Sequence, residues 1–326
     1  MSEQVTAPSK DLRPSDSARA PLEAAILRTL AYADLFDHPL TLPEIHRYLA
    51  GVAASLPAVQ EALEDGLLSD RRLVQSREYV TLNGRESIVE RRFQRDAFSQ
   101  RMWRKGQRYG RAIASLPFVR LVAVTGTLAM NNIEPGQDID YLIVTAPRRV
   151  WLARLFVLFF VHLARLEKLA LCPNFVFSSD VLARFEPSFF AAHELAQMMP
   201  LYGQETYQAL LQANLWARQY LPNAFDADPD RFARRVAPLF PALKRAAEYA
   251  LRGRLGDAWE AREREHKIAQ LSREAHACGS RAAAFTADCC KGHMDDHGNR
   301  IQEAYARRLD QVGLDAEMTS LLQPPV

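Results

Sequence analysis

Apolar positions between Pro21 and Asn83 recur first at helical and then at strand spacing. Leu22, Ile26, Leu27, Leu30 and Ala31 mark one amphipathic helix. Thr41 and Glu44 have the form of a capping box opening a second, which carries Ile45, Tyr48 and Leu49. Ser55 caps a third, holding Val59 and Leu63 and stopping at Gly66. The period then changes: Leu73-Val74-Gln75 and Tyr79-Val80-Thr81-Leu82 flank Ser76-Arg77-Glu78 as two short strands flank a turn. From Arg85 to Ser115 the residues Ile88, Phe93, Phe98, Met102, Trp103 and Tyr109 permit one long amphipathic helix. Val119 to Val124 and Tyr141 to Val144 are short apolar runs of strand character, followed by a helix from Arg148 to Lys168 and a strand through Cys172 to Asp180. From Ala192 to about Arg218 the spacing is helical; after a polar loop at Asp226 to Asp230, one or two further helices fill Ala237 to Arg273.

These elements predict an α+β chain in five parts: a disordered tail over 1–20, a helical and hairpin module over 21–84, a basic helical connector over 85–115, a core over 116–182 and a helical region over 183–326. Three helices and a hairpin within 21–84 are the outline of a winged-helix module. Its third helix would be the DNA reader. That segment, Ser55 to Asp65, carries Glu61, Glu64 and Asp65 and no base, whereas a reader needs cations toward phosphate and donors toward base edges. A protein-contact or scaffold role fits it better.

Composition narrows the class. The 326 residues are 25% charged and 48% hydrophobic, with 41 Lys plus Arg against 39 Asp plus Glu, which excludes disordered, collagen-like and disulfide-scaffold chains. Four cysteines, Cys172, Cys278, Cys289 and Cys290, lack framework spacing and suit a reducing, cytoplasmic compartment. The polar N-terminus has no apolar signal region, and Val150 to Leu166, interrupted by Arg154, His162 and Arg165, reads as a buried helix and not a membrane span. The net charge of +2 averages over unlike segments: Arg85, Arg91, Arg92, Arg95, Arg101, Arg104, Lys105, Arg108 and Arg111 crowd the connector. That face is either solvated or an approach path for nucleic acid or polyphosphate.

The chemistry concentrates in 119–145, VRLVAVTGTLAMNNIEPGQDIDYLIVT. A buried strand ends at Gly126-Thr127, where glycine permits close backbone approach and threonine can cap a short helix starting near Leu128. Free N–H groups at such a terminus make a natural anion site. After the Pro135-Gly136 turn, Asp138-Ile139-Asp140 opens the next strand. Carboxylates at i and i+2 on a strand project from one face, and a buried pair is costly unless a divalent cation neutralises it. Two-metal phosphoryl transfer uses such a pair.

Gly126-Thr127 followed at this distance by Asp138-Ile139-Asp140 resembles the signature of the DNA polymerase beta-like nucleotidyltransferase superfamily, in which Gly-Ser or Gly-Gly precedes D-x-D. The chain as a whole is similar to bacterial nucleotidyltransferase-domain proteins. The resemblance implies a mixed sheet with helices on one face and Mg²⁺-dependent (or Mn²⁺-dependent) transfer of a nucleoside monophosphate from a nucleoside triphosphate such as ATP to a hydroxyl or phosphate acceptor. It implies that Gly126 and Thr127 hold the triphosphate and that Asp138 and Asp140 ligate metal, with Thr127 keeping the hydroxyl of the more usual serine. In the family a third carboxylate on the strand after the next helix helps deprotonate the acceptor. Here Asn174, Val176, Ser178 and Asp180 share one strand face. Asn174 is a weak ligand; Asp180 has the right chemistry but lies at the strand end, where it equally serves as a helix cap.

Farther on, Lys291 and His293 sit on a Gly-containing turn from which they would reach phosphate or substrate in the core's cleft. Two functions follow from these residues. One is the enzyme, with Asp138, Asp140 and Asp180 as its acids; the other is a degenerate nucleotidyltransferase fold that senses nucleotide or binds DNA or protein.

Overall fold

The computed structural model describes residues 16–225, 229–279, 283–292 and 297–314. The expected tail lies outside them as far as position 15, and 16–20 already belong to the first helix. That helix, α1 (Asp16–Asp34), is followed by β1 (Leu40–Thr41), α2 (Leu42–Arg47), α3 (Leu56–Ala62), β2 (Leu73–Ser76) and β3 (Tyr79–Leu82). The capping box forms as the sequence predicts: the Thr41 hydroxyl accepts from the Glu44 N–H, and the Glu44 carboxylate accepts from the Thr41 N–H at 2.9 Å. The third helix does not stop at Gly66. It widens into a π-helical turn over Leu63–Leu68 and keeps Leu63, Gly66 and Leu67 buried. The strands form a small antiparallel sheet in the order β1-β3-β2. Ile26, Leu27, Ile45, Leu49, Val59, Leu73 and Val80 fill the space between helices and sheet, each contributing roughly 1.5–3 kcal/mol by leaving water.

The connector is a single helix, α4 (Ile88–Ala114), whose inner side buries Met102, Trp103, Tyr109 and Ile113. Many of the segment's bases are bound internally. Arg85 pairs with Asp34 at 2.7 Å and with Asp37, Arg91 with Asp37 at 2.8 Å, Arg92 with Glu44 at 2.8 Å, Arg95 with Glu134 at 2.6 Å, and Arg108 with Glu167. The basic path expected for nucleic acid over Arg85 to Arg111 is therefore largely a set of ion pairs that bind the connector to its neighbours. Arg101, Arg104 and Lys105 stay exposed.

Next come β4 (Val119–Thr125), α5 (Gly126–Ala129), β5 (Ile139–Thr145), α6 (Val150–Leu166) and β6 (Leu171–Ser178). After them the chain runs through α7 (Phe189–Gln197), β7 (Met199–Tyr202), α8 (Gln204–Ala213), α9 (Ala217–Tyr220), α10 (Pro241–Leu251), α11 (Arg254–Ala277), β8 (Ala284–Thr286), β9 (Cys289–Lys291) and α12 (His297–Gln311). The region expected to be helical thus supplies three strands of the main sheet, whose order is β7-β4-β5-β6-β9-β8. All pairs are antiparallel except β5 with β6. The core expected within 116–182 is correspondingly only half a sheet. Three- and four-residue strands such as β9, or β7 with its internal Pro200, are too short to show a period-two signal, and the helical pattern around them masks it.

Helices cover both faces of this mixed sheet, not one. Val122, Ile143 and Val176 pack toward α4, α6 and α11 through Trp103, Val157 and Leu271. Leu121, Leu142, Val144 and Phe177 pack the other way, against Phe189, Leu195, Tyr207 and Tyr305, and against Tyr32 and Tyr48 of the N-terminal module. Helix α6 is buried on its inner side only: Phe159 is 65% and Leu166 82% exposed on the other. Among the described residues no helix is long and apolar enough to cross a membrane.

Candidate functional site

The site forms where β4 ends. Thr125 pairs with Asp140 across the β4–β5 ladder, and Asp140 pairs on its other side with Cys172 of β6. Asp138 stands one residue before β5. Donor atoms of Asp138, Asp140 and Cys172 all lie within 4.8 Å of one another. Gly126 follows Thr125 with φ +63°, and a Cβ added there would sit 2.5 Å from the Asp140 carboxylate oxygen Oδ2. Glycine is required twice over, for the left-handed backbone and for the contact. Helix α5 starts at Gly126 with Thr125 in the cap position, so Thr127 lies in its first turn and does not cap it.

Electrostatics mark Asp140 as uncompensated. Burial, then the charges of Asp138 and Glu194, push the Asp140 carboxyl up to about 8, against a hydrogen bond from Cys172 that pulls it down. Burial and the same two aspartates raise the Cys172 thiol well above its usual range. Burial also carries Glu194 up to about 7, and the Lys291 ammonium opposes it. A protonated thiol is a poor ligand, so the donors suited to a hard cation are the carboxylate oxygens of Asp138 and Asp140. The pair fits Mg²⁺ in its chemistry, with Cys172 as a hydrogen-bonding neighbour.

Two cavities flank the pair. One, of about 310 Å³, lies between the N-terminal module and α7; Gly126, Thr127, Tyr32, Tyr48, Phe190 and Glu194 are among its walls. His193, also on its wall, stacks on Tyr32 with centroids 3.9 Å apart, and burial lowers its pKa to about 4. The other, of about 570 Å³, touches Asp138 and Cys172 and carries Arg154, Arg165 and Lys168.

The structure brings together four residues that the sequence singles out, Gly126, Thr127, Asp138 and Asp140. Lys291 lies on β9, where it pairs with Phe175 of β6 and its charge acts on Glu194, but it lines neither cavity. His293 lies outside the described residues. Asp180 is elsewhere. Parallel register sets Cys172 beside Asp140 and Ser178 beside Thr145, so Asp180 lies beyond the opposite end of the strand, about 20 Å away at ~3.3 Å per residue. There it is exposed, in a 3₁₀ turn where its N–H donates to the Ser178 hydroxyl at 3.3 Å. Asp180 is therefore placed neither to share a cation with the pair nor to take a proton beside it. Asn174 sits nearer, at a slip in the β5–β6 register, with its Oδ1 buried and unpartnered among the described residues.

Cys172 and Glu194 are the functional candidates that sequence reasoning passes over. Glu194 had a signal: it is the lone acid in the apolar run Phe189 to Met199. Comparison with family models, with curated proteins and with solved structures finds no match.

Proposed function

We propose that this chain is a Mg²⁺-dependent nucleotidyltransferase that moves a nucleoside monophosphate from a nucleoside triphosphate to an acceptor. The observation that carries the reading is the contact of Gly126 with Asp140. It sets a glycine turn, whose backbone lets a phosphate approach closely, directly against the Asp140 carboxylate, which burial and neighbouring like charges disfavour in its ionised form. Asp138 and Asp140 would hold the cation, and Gly126 and Thr127 the triphosphate. Mg²⁺, when bound, supplies charge neutralisation for the triphosphate and the departing pyrophosphate. The N-terminal module, read as a winged helix, serves this function as a wall of the site. The acids of its third helix and the internally paired arginines weigh against a DNA-reading role.

Thermal unfolding of the full chain tests the reading. MgATP at a hundred times its Kd stabilises by about 2.7 kcal/mol, near 4 °C for a chain of this length at ~2.1 cal/mol/K per residue. Asp138→Ala and Asp140→Ala remove the gain. A wild-type protein indifferent to every Mg²⁺ nucleoside triphosphate sinks the proposal.

One observation favours a second reading. Cys172 occupies the strand position beside Asp140, and Asp180 is remote, so a degenerate core that senses nucleotide without turnover is the competing function. Nucleotide binding with no pyrophosphate release for any acceptor tried would favour it.

A further inference from the structure

Resting on the nucleotidyltransferase reading, we propose that the cavity between α1, α2 and α7 is the acceptor compartment, that it takes a compact hydroxyl-bearing amine free of phosphate, and that Glu194 receives the hydroxyl proton.

Position comes first. Gly126 and Thr127 form part of this cavity's wall, so whatever fills it lies against the residues that face Asp140. Its volume of about 310 Å³ is at the small end of the range for small-molecule sites, enough for one compact molecule and too little to enclose a folded nucleic acid.

Chemistry narrows the occupant. The rings of Tyr32, Phe36, Tyr48 and Phe190 supply aromatic walls, and Asn132 and Gln197 supply amides for hydroxyl groups. No Lys or Arg side chain lines the cavity among the described residues, and its two histidines, His38 and His193, are held neutral by burial. Among the described residues the one carboxylate on the wall is that of Glu194. No hydrogen bond or ion pair engages it among the described residues, and Lys291, the cation acting on it, stands outside the lining. Aromatic rings with an unpaired carboxylate select an ammonium group over a phosphate along the wall of Tyr32, Phe190 and Glu194, leaving the wall of Gly126 and Thr127 to the triphosphate. Bases gather instead on the far side of Asp138, in the cavity of Arg154, Arg165 and Lys168. A phosphorylated acceptor would be drawn there.

The transfer balances with these residues alone. The acceptor oxygen forms a bond to the α-phosphorus of the nucleoside triphosphate as the α–β bridging P–O bond breaks. Pyrophosphate leaves with that electron pair, and the hydroxyl proton passes to the Glu194 carboxylate. Glu194 is near enough for its charge to act on Asp140 without belonging to the metal-ligand cluster, as expected of a group one acceptor away from the cation.

Three matched sugars test the assignment by calorimetric titration of the full chain in the presence of MgATP: glucosamine, glucose and glucose 6-phosphate. Glucosamine should bind about fivefold or more tightly than glucose, the ratio worth ~1 kcal/mol of cation recognition, and glucose 6-phosphate more weakly than either. Glu194→Gln should bring the glucosamine-to-glucose ratio to about one while MgATP still binds in an Asp140-dependent way, and Phe190→Ala should weaken both sugars together. Glucose 6-phosphate binding as tightly as glucosamine, no heat from any of the three, or an unchanged ratio in Glu194→Gln overturns the assignment. Those failures accompany normal, Asp140-dependent MgATP binding; absence of MgATP binding in the wild type instead overturns the reading on which the assignment rests.

Discussion

Replacing Asp140 with asparagine should stabilise the metal-free protein. The carboxyl is held up to about 8 by burial and by the neighbouring charges of Asp138 and Glu194. Its folded value is raised, so the folded state binds the proton more tightly than the unfolded chain. No cost exists below pH 4, the cost grows between pH 4 and 8, and it is constant above 8. At pH 7 the environment lies about three pH units against the ionised form, and at ~1.4 kcal/mol per unit the charge costs about 4 kcal/mol. Asparagine has nearly the same shape and no charge to desolvate. Across 326 residues, at ~2.1 cal/mol/K per residue, that cost corresponds to about 6 °C in Tm. Part of it returns because the amide must satisfy its own hydrogen bonds beside Cys172, so an increase of about 3–6 °C is expected at pH 7 and close to none at pH 4.5. Differential scanning calorimetry in chelator measures both. With saturating Mg²⁺ the order reverses, since the cation removes the wild type's cost and binds the asparagine variant poorly. A variant less stable than wild type at pH 7 without metal, or a gain that does not grow with pH, would show that the carboxylate is satisfied and would remove the electrostatic basis for a cation site.

Acid stability supplies a second prediction. Burial lowers His38 and His193 to about 4, so each contributes stability present above pH 6.5 and lost as pH falls toward 4, whereas Asp140 and Glu194 change in the opposite sense over the same window. Urea unfolding of the wild type should therefore be nearly level between pH 4.5 and 6.5, and the Asp140→Asn, Glu194→Gln double variant should lose about 2.7 kcal/mol per pH unit there; equal slopes refute the pairing. Gly126→Ala places a methyl group 2.5 Å from Asp140 Oδ2 at φ +63°, which should cost about 1–3 kcal/mol and weaken MgATP binding in thermal shift. Wild-type affinity in that variant would separate the loop from the site. Zn²⁺, unlike Mg²⁺, favours a thiolate, so Cys172→Ser should weaken Zn²⁺ at least tenfold by competition titration and alter Mg²⁺ by less than twofold.

The parts of this structure that were legible beforehand are those governed by neighbours in the chain. The Thr41–Glu44 box, the hairpin of β2 and β3 and the strand, glycine and D-x-D succession all depend on residues a few positions apart. What stayed hidden depends on register. Whether Asp180 or Cys172 faces Asp140 is decided by how β6 slides along β5, and nothing local in either strand records it. The surplus of positive charge in the connector misled for the same reason: its partners Asp34, Asp37, Glu44, Glu134 and Glu167 are distant in sequence. Glu194 was visible as an acid among apolar residues, but only the packing of α7 beside α5 makes it part of the site.

The strand order also bears on how the chain is made. Strands β4, β5 and β6 are synthesised consecutively, yet β6 finds its outer partner in β9, more than a hundred residues later, and β4 finds its own in β7. At about 5–20 residues per second on the ribosome, an apolar partial sheet, its β4 edge closed early by β7, waits several seconds with its β6 edge open before Cys289, Cys290 and Lys291 emerge to close it. Open edges of this kind pair readily with other chains. A nascent chain halted near residue 220, with β6 just clear of the exit tunnel, should accordingly recruit chaperones strongly, and one halted beyond about residue 330 of a C-terminally extended chain, with β9 clear of it, should not.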